Sequence, residues 1–399
     1  MRIKPLTSII TSLFLLSLCG CGGGGSSTTV TAGVPSTPQS STGTAVSGVV
    51  SKGIIKNGKV KIFSVSGDVG NKVLLAVATT NGKGEYTASI GAYSGPLLIE
   101  ASGEYSDEAT GATKTITEEA PLRAAVAAAT GTVQIAITPL TELAVQKAGA
   151  TLTAKSITEA NTLVSDLYRI DIITTQPVEP SLQAFQNPDT TQVQKDYTLA
   201  LAAVSQLVKN SAGASLSVVL ESLRSELAVD NRISTQTAAA FKSALTTFLS
   251  DTSVNRTGIT DINATGLTDV GSVTYVVKLH TRGTFAAGSF IKGIQLSVKL
   301  PAGVTVKADA SGKTTAGTVA ASGVAASGSS IDTNYVGTSN LLYVAMLNGQ
   351  GFGTGEFITI MCDIAPGFSP PAGSFDISDV SAKGAEGVPI TGITVFPTY

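Results

Sequence analysis

The spacing of apolar residues changes twice along this chain of 399 residues, and that change constrains the fold more than any other feature. Apolar and polar residues alternate between residues 45 and 106, apolar residues recur every three or four positions between 138 and 250, and alternation returns from 271 to 399. Alternation is typical of half-buried strands, whereas the longer repeat is typical of amphipathic helices. The sequence therefore predicts a multidomain, mainly β protein with a central helical region.

The first alternating region predicts short strands joined by tight turns. Its turn cluster at residues 81–84 is Asn-Gly-Lys-Gly, in which Asn and Gly accept positive φ. The runs Gly-Val-Val, Gly-Lys-Val-Lys-Ile and Thr-Thr-Asn-Gly-Lys-Gly-Glu-Tyr at 48–50, 58–62 and 79–86 resemble carboxypeptidase-regulatory-like domains. That resemblance implies a transthyretin-type β-sandwich over residues 45–106, used as a spacer or binding module.

The middle of the chain predicts helices after a transitional segment at residues 107–137. Within that segment, Ala120–Ala129 is predicted to form a short Ala-rich helix. Residues 138–250 then carry four or five one-sided apolar stripes, which favour a small helical bundle. Residues 251–270 are predicted to be a linker.

Three candidate helix starts lie within this bundle region. Thr138-Pro139 predicts a start because proline suits the first helical turn. The Ser156-Ile157-Thr158-Glu159 run has the pattern of a capping box, and Ser215 is a candidate N-cap.

The last alternating region predicts eight or nine strands over residues 271–399, a pattern typical of a sandwich or jelly roll. The segments that resemble a cohesin-type domain are Ile291–Leu296, Leu300–Val304, Leu342–Met346, Gly355–Ile360 and Phe375–Ile390. The resemblance implies a jelly-roll β-sandwich related to carbohydrate-binding modules, with one sheet face that docks a dockerin-like partner protein. No docking residue can be transferred from it position by position.

The N-terminus has the order of a secretory leader. Arg2 and Lys4 precede an apolar stretch, Ile9–Leu18, that is too short to span a bilayer. Leu18-Cys19-Gly20-Cys21 follows, and a linker rich in Gly, Ser, Thr and Pro continues to residue 44. The alternative to a specialised leader is an ordinary signal peptide with an incidental cysteine.

This arrangement resembles the lipobox of bacterial lipoproteins. The resemblance implies removal of residues 1–20 as a signal peptide, and acylation of Cys21, for example with palmitate. Gly22 follows this cysteine where Asp would favour inner-membrane retention, so the resemblance implies lipid anchoring in the outer membrane. The membrane is then a partner through lipid alone.

Composition excludes several classes of function. Lys and Arg total 26 against 28 Asp and Glu, so no basic face for nucleic acid is expected. Loss of Cys19 and acylation of Cys21 would leave Cys362 without a partner for a disulfide. One histidine and so few cysteines cannot build a Cys/His zinc site, and a catalytic triad would require His280. We therefore predict no cofactor, no metal and no enzymatic activity.

Several residues remain as candidates with two readings each. His280 is predicted to face solvent on a strand rather than to act in catalysis. Cys362 shares the parity of apolar neighbours and is predicted to be an inert core residue rather than a catalytic or redox thiol. Six carboxylates at residues 100–119 form either a cation site or, as we favour, a solvated edge: Glu100, Glu104, Asp107, Glu108, Glu118 and Glu119. A glycan-active hydrolase would need a carboxylate pair, for which the sequence offers Asp363, Asp376 and Asp379 without pairing them.

Binding is the function class that the sequence favours. We predict a non-catalytic cell-surface lipoprotein whose cohesin-like domain binds or scaffolds an envelope or secreted protein. The alternative is a carbohydrate-binding adhesion protein linked to polysaccharide or matrix. Because the chain has no Trp, a sugar platform would use Tyr or Phe, and the candidate binding face contains Tyr343 and Tyr335.

Overall fold

The structure is a computed structural model that describes residues 43–68, 71–286, 288–371 and 373–399. These residues belong to one compact unit. They contain many β-sheets and six α-helices. The predicted leader, Cys21 and all but the end of the predicted linker lie outside the described residues.

Nine strands form the N-terminal β region: β1 (Ala45–Val49), β2 (Lys59–Ser64), β3 (Gly67–Asp68), β4 (Val73–Thr79), β5 (Glu85–Ser89), β6 (Leu97–Ser106), β7 (Thr113–Ile116), β8 (Leu122–Val126) and β9 (Thr132–Gln134). One sheet has the order β5-β1-β9, and another has the order β4-β2-β6-β7, with β8 also paired to β6. Strands of both sheets contribute side chains to one apolar core that extends from Val46 to Ile137.

The segment at 107–137 is therefore part of this β region. Strands β7 and β8 pair with β6, and β9 pairs in parallel with β1. The predicted helix at Ala120–Ala129 is wrong, because Leu122–Val126 is the strand β8. Leu122 and Ala124 are buried in the core on this strand. Alanine's helix propensity is a weak preference, and pairing with β6 overrides it.

Six helices and one short strand follow: α1 (Pro139–Ala148), β10 (Thr151–Leu152), α2 (Ala154–Tyr168), α3 (Leu182–Gln186), α4 (Gln192–Asn210), α5 (Leu216–Asp230) and α6 (Thr235–Ser250). Their buried faces share one core, which also takes in Leu267 and Val270. The predicted linker at 251–270 is thus packed against the helices at its end. Among the described residues, no helix has both the length and the apolar character needed to cross a membrane.

Side-chain caps set where these helices begin. Thr138 caps α1 with Pro139 in its first turn, and Ser215 caps α5, as predicted. The capping box of α2 lies earlier than predicted, because Thr153 caps the helix and Ser156 returns the hydrogen bond. Thr and Ser supply the same chemistry as the predicted Ser and Glu pair, one turn upstream.

Ten strands form the C-terminal region: β11 (Val273–Arg282), β12 (Ile291–Lys299), β13 (Val304–Thr305), β14 (Val319–Ala321), β15 (Ser329–Val336), β16 (Leu341–Phe352), β17 (Gly355–Ile364), β18 (Asp376–Lys383), β19 (Pro389–Ile390) and β20 (Thr394–Thr398). One sheet has the order β13-β17-β11-β20, with β14 also on β17, and the other has the order β15-β16-β12-β18-β19. Their inward side chains form one core. This region is a β-sandwich of two five-stranded sheets.

Candidate binding face

The sheet β15-β16-β12-β18-β19 has one side in the core and one side toward solvent. On β16, Leu342, Val344 and Met346 are buried in the core. Because side chains alternate along a strand, Tyr343 and Leu347 point the other way. We call this solvent side of the sheet the outer face.

Tyr343 lies in the middle of the outer face, with 45% of the residue exposed. Its cross-strand neighbours are Asn334 on β15 and Ser297 on β12. Ser297 is only 2% exposed although it lies on the solvent side, between Tyr343 and Ser378 in the register. The ring therefore stands beside a recessed hydroxyl rather than on a flat polar surface.

A depression of about 390 Å³ surrounds this ring. Besides Tyr343, the polar residues in its wall are Gln295, Ser297, Asp332, Thr333, Asn334 and Asp379. Amide, hydroxyl and carboxylate groups thus surround a single aromatic ring, an arrangement that provides hydrogen-bond donors and acceptors next to apolar contact area.

Leu347 gives the outer face a second apolar group. It is 69% exposed and lies opposite Gly293 in the register. A Cβ atom at position 293 would approach Leu347 Cδ2 to 3.2 Å, so the absence of a side chain there leaves room for the leucine. Leu347 and Tyr343 lie four residues apart on one strand, on the same side of it.

Tyr335 does not belong to the outer face, which corrects our prediction. It pairs with Leu342 in the register and packs against the apolar core. Its hydroxyl donates to Asn340 Oδ1 at 2.6 Å. Since Tyr335 and Tyr343 point to opposite sides of the sheet, they cannot form one binding surface.

His280 and Cys362 have structural environments on the other sheet. The His280 ring is half-buried and stacks on Phe396 with 5.3 Å between centroids, and its Nε2 lies 3.0 Å from Thr398 Oγ1. It is therefore less open to solvent than we predicted. Cys362 is buried with apolar neighbours, and burial raises the pKa of its thiol to about 12. A thiol held so firmly in the protonated form is a poor nucleophile.

Most of the candidate carboxylates are held by cationic side chains. Asp363 forms an ion pair with Arg169 at 2.6 Å, whereas Asp376 and Asp379 are exposed. In the 100–119 group, Glu100 pairs with Lys72, and Glu118 lies 3.0 Å from Lys59. Among the described residues, no group of three or more Asp, Glu, His or Cys side chains has the arrangement to hold a metal ion.

Asp107 and Glu108 of the same group are buried, which the prediction of a solvated edge missed. Both lie beside the Nζ atom of Lys52. Burial alone would raise the pKa of Asp107, but the charge of Lys52 and hydrogen bonds from Lys114 and Thr110 hold it below its ordinary value.

The sequence identified Tyr343 but missed the residues around it. Alternation within a strand indicates which residues share a side with Tyr343 on β16. It does not give the register with β12 and β15, which brings Ser297 and Asn334 beside the ring. The polar residues on β12 and β15 would have indicated a site around Tyr343 only if the register of these strands with β16 had been known.

No protein-family model matches the chain, and no curated protein matches it either. Among solved structures, the full-length major pilin SpaD from Corynebacterium diphtheriae is similar over 90% of this chain and 67% of the pilin chain. The sequence identity is 9% and the TM-score is 0.20. A score this low carries no argument about fold or function, so a functional assignment has to rest on the residues themselves.

Proposed function

We propose that this chain is a non-catalytic, lipid-anchored protein of the outer membrane that binds another protein through the outer face of its C-terminal sandwich. The observation that carries the binding part is the exposure of Tyr343 and Leu347 on one face of a sheet, with polar side chains around Tyr343. The anchoring part rests on the resemblance of the sequence around Cys21 to a lipobox.

The composition of the outer face suits a protein partner. Binding energy at protein interfaces is concentrated in a few buried anchors, among which Tyr is enriched, and polar groups form the rim. Tyr343 and Leu347 would be the anchors, while Asn334, Asp332 and Gln295 would form the rim. The cohesin-like pattern of the sequence adds support, because cohesin-type domains use a sheet face to dock a partner.

The binding proposal is tested with the full chain and two matched variants. Affinity capture from envelope and secreted fractions would identify a partner, and titration would then give its Kd. We expect Tyr343→Ala to raise Kd by about 30-fold, as expected for an anchor worth about 2 kcal/mol. Met361→Ala is the control, because Met361 is equally exposed but lies on the other sheet. Equal Kd values for the wild type and Tyr343→Ala would contradict the proposal.

A second candidate function is polysaccharide binding, and the ring of Tyr343 beside Asn334, Asp332 and Gln295 favours it. Sugars use aromatic rings for stacking and nearby polar groups for hydrogen bonds. Binding on a glycan array that is lost in Tyr343→Ala would support this candidate. A blank array, together with a protein partner sensitive to the same substitution, would exclude it.

The anchoring proposal has its own test. Wild-type cells fed labelled palmitate should incorporate label into the protein, and Cys21→Ser should abolish it. Protease added to intact cells would then show whether the C-terminal sandwich faces outward. Retention of label in Cys21→Ser would contradict lipidation at this residue.

A further inference from the structure

A buried lysine lies between two buried carboxylates at the junction of the N-terminal β region and the helices. Lys52 is 1% exposed and is among the largest fully buried side chains of the described residues. Its Nζ lies 2.9 Å from Glu108 Oε2 and 3.5 Å from Asp107 Oδ2. The Tyr105 ring covers the same nitrogen, with its centroid 5.2 Å away. None of these contacts is used by the proposed binding function.

A close backbone contact between Gly53 and Ser106 brings Lys52 near Asp107 and Glu108. Gly53 has a φ of 71° and lies so close to Ser106 that an added Cβ would sit 1.9 Å from the Ser106 carbonyl oxygen. Only glycine permits this approach. It brings the turn that carries Lys52 directly against the segment that carries Asp107 and Glu108.

We propose that Lys52 and Asp107 become joined by an amide bond between Lys52 Nζ and Asp107 Cγ, with Glu108 transferring the protons. The structure places Nζ and the aspartate carboxylate side by side, as they would be before the bond forms. The inference is independent of the proposed binding function.

Asp107 is arranged as the electrophile. Its Oδ1 accepts hydrogen bonds from the Thr110 amide at 3.1 Å and the Thr110 hydroxyl at 2.9 Å. Its Oδ2 accepts from Lys114 Nζ at 3.0 Å. Three donors aimed at one carboxyl would stabilise the negative charge that develops on oxygen when the amine adds to Cγ.

Glu108 is arranged as the proton carrier. Its Oε2 accepts from Lys52 Nζ and also from Ser205 Oγ on α4, at 2.5 Å. A carboxylate within hydrogen-bond distance of the nucleophilic nitrogen meets the geometric requirement for general base catalysis. Ser205 Oγ also contacts Lys52 Nζ directly, so this hydroxyl helps to position both Lys52 and Glu108.

The reaction balances without any further reagent. The Lys52 ammonium gives one proton to Glu108, and the neutral amine adds to Asp107 Cγ to form the N–C bond. One carboxyl oxygen then leaves as water, and it carries away the two hydrogens lost from Nζ. Glu108 returns to its carboxylate form, and nothing is oxidised or reduced.

The burial of the charged Lys52 and Asp107 side chains favours amide formation. Two charges removed from water carry a desolvation cost that an ion pair offsets only in part. The amide has no charge, so its formation removes that cost. Fixing the two groups in contact also replaces a bimolecular condensation by an intramolecular one, for which effective molarities of roughly 10⁵–10⁸ M are known.

Mass spectrometry of the full-length folded protein tests the proposal directly. Trypsin should yield a branched peptide that joins the peptide containing Lys52 to residues 84–114, lighter than the two together by one water. Two separate peptides of full mass from the folded wild type would overturn the proposal, whatever the variants do. Fragmentation that places the branch on Glu108 would overturn the choice of Asp107.

Variants assign the roles. Lys52→Arg and Glu108→Gln should both lose the branched peptide, with circular dichroism as a check of folding. Asp107→Asn should still form the amide but release ammonia, and it should give a branched peptide of the wild-type mass. Lys56→Arg is the control, because Lys56 lies four residues away in an exposed pair with Glu179 and should leave the branch unchanged. A branch that persists in Glu108→Gln would overturn the role of Glu108.

Discussion

Arg169 and Asp363 join the helices to the C-terminal sandwich through a short ion pair. Arg169 Nη2 lies 2.6 Å from Asp363 Oδ1 on β17, and Nη1 donates to Thr274 Oγ1 on β11 at 2.9 Å. Arg169 ends α2 in the left-handed conformation, which directs the chain away from the helix axis at this point. Both side chains are largely buried, so the pair is less screened by solvent than an exposed pair.

Loss of this pair should destabilise the protein. We expect Arg169→Met to lower the free energy of unfolding by about 2 kcal/mol, because Asp363 is left partly buried without its partner. Urea denaturation followed by circular dichroism measures the change. Lys155→Met removes an exposed i,i+4 pair with Glu159 and should cost about 0.5 kcal/mol or less. Equal costs for both variants would contradict the structural role of Arg169.

The hydroxyl of Tyr197 should matter for stability as much as its ring. Tyr197 is fully buried on α4; its Oη donates to the Ile172 carbonyl at 2.9 Å and lies 2.7 Å from Thr138 Oγ1, the cap of α1. Tyr197→Phe should cost about 1–3 kcal/mol, since the substitution leaves buried polar groups unsatisfied. Tyr343→Phe is the matched surface control and should change stability by about 0.5 kcal/mol or less. The same urea measurement compares the two.

Cys362 should resist alkylation in the native protein. Burial, with a smaller effect of the Asp363 charge, raises the pKa of its thiol from 9.0 to about 12, so the thiolate is scarce up to about pH 10. Iodoacetamide at pH 8 should leave the peptide that contains Cys362 unlabelled until the protein is denatured. Rapid labelling of this peptide in the native protein would show that the sandwich opens at this strand.

Asp171 should make stability depend on acid pH. Burial raises its pKa, but hydrogen bonds from the Thr174 hydroxyl and from the Thr174 and Ile173 amides bring it below the ordinary value of 3.8. As the pH falls, the unfolded chain therefore binds this proton before the folded protein does. The contribution of Asp171 to the free energy of unfolding is fully present above pH 3.8 and is lost as the pH falls through the pKa of the folded protein.

The wild type should accordingly be more stable than Asp171→Asn above pH 4, and this difference in stability should become smaller below pH 4. Thermal unfolding of both proteins between pH 2.5 and 6 measures it. Exposed Asp189→Asn is the control variant and should show a smaller pH-dependent difference. A difference between wild type and Asp171→Asn that stays constant across this range would contradict the linkage.

The alternation of apolar and polar residues predicted the strands of the C-terminal sandwich because one face of each strand is buried and the other is exposed to solvent. The buried run Leu342, Val344 and Met346 could be assigned to the core from sequence for this reason. The strand at Leu122–Val126 could not be predicted from the sequence, because small residues such as Ala124 fit a helix or a strand equally well. Its pairing with β6 depends on residues 97–101, which are distant in sequence.

The candidate binding face was predicted in part. The sequence predicts Tyr343 and Tyr335 as binding residues because a chain without Trp offers only Tyr or Phe for stacking on sugars, and that argument does not depend on the register. Opposite Leu342, Tyr335 turns inward and donates to Asn340.

The sequence by itself determined the order of β and helical regions, the helix starts at Thr138 and Ser215, and the inward position of Cys362. These are local properties, set by side-chain period and by caps within one or two turns. Only the tertiary structure decided which residues meet across the fold. Lys52 and Asp107 are 55 residues apart and Arg169 and Asp363 are 194 apart, and neither pair has a local pattern. Contacts of that kind depend on register and on the packing of whole elements, which a period along the chain does not encode.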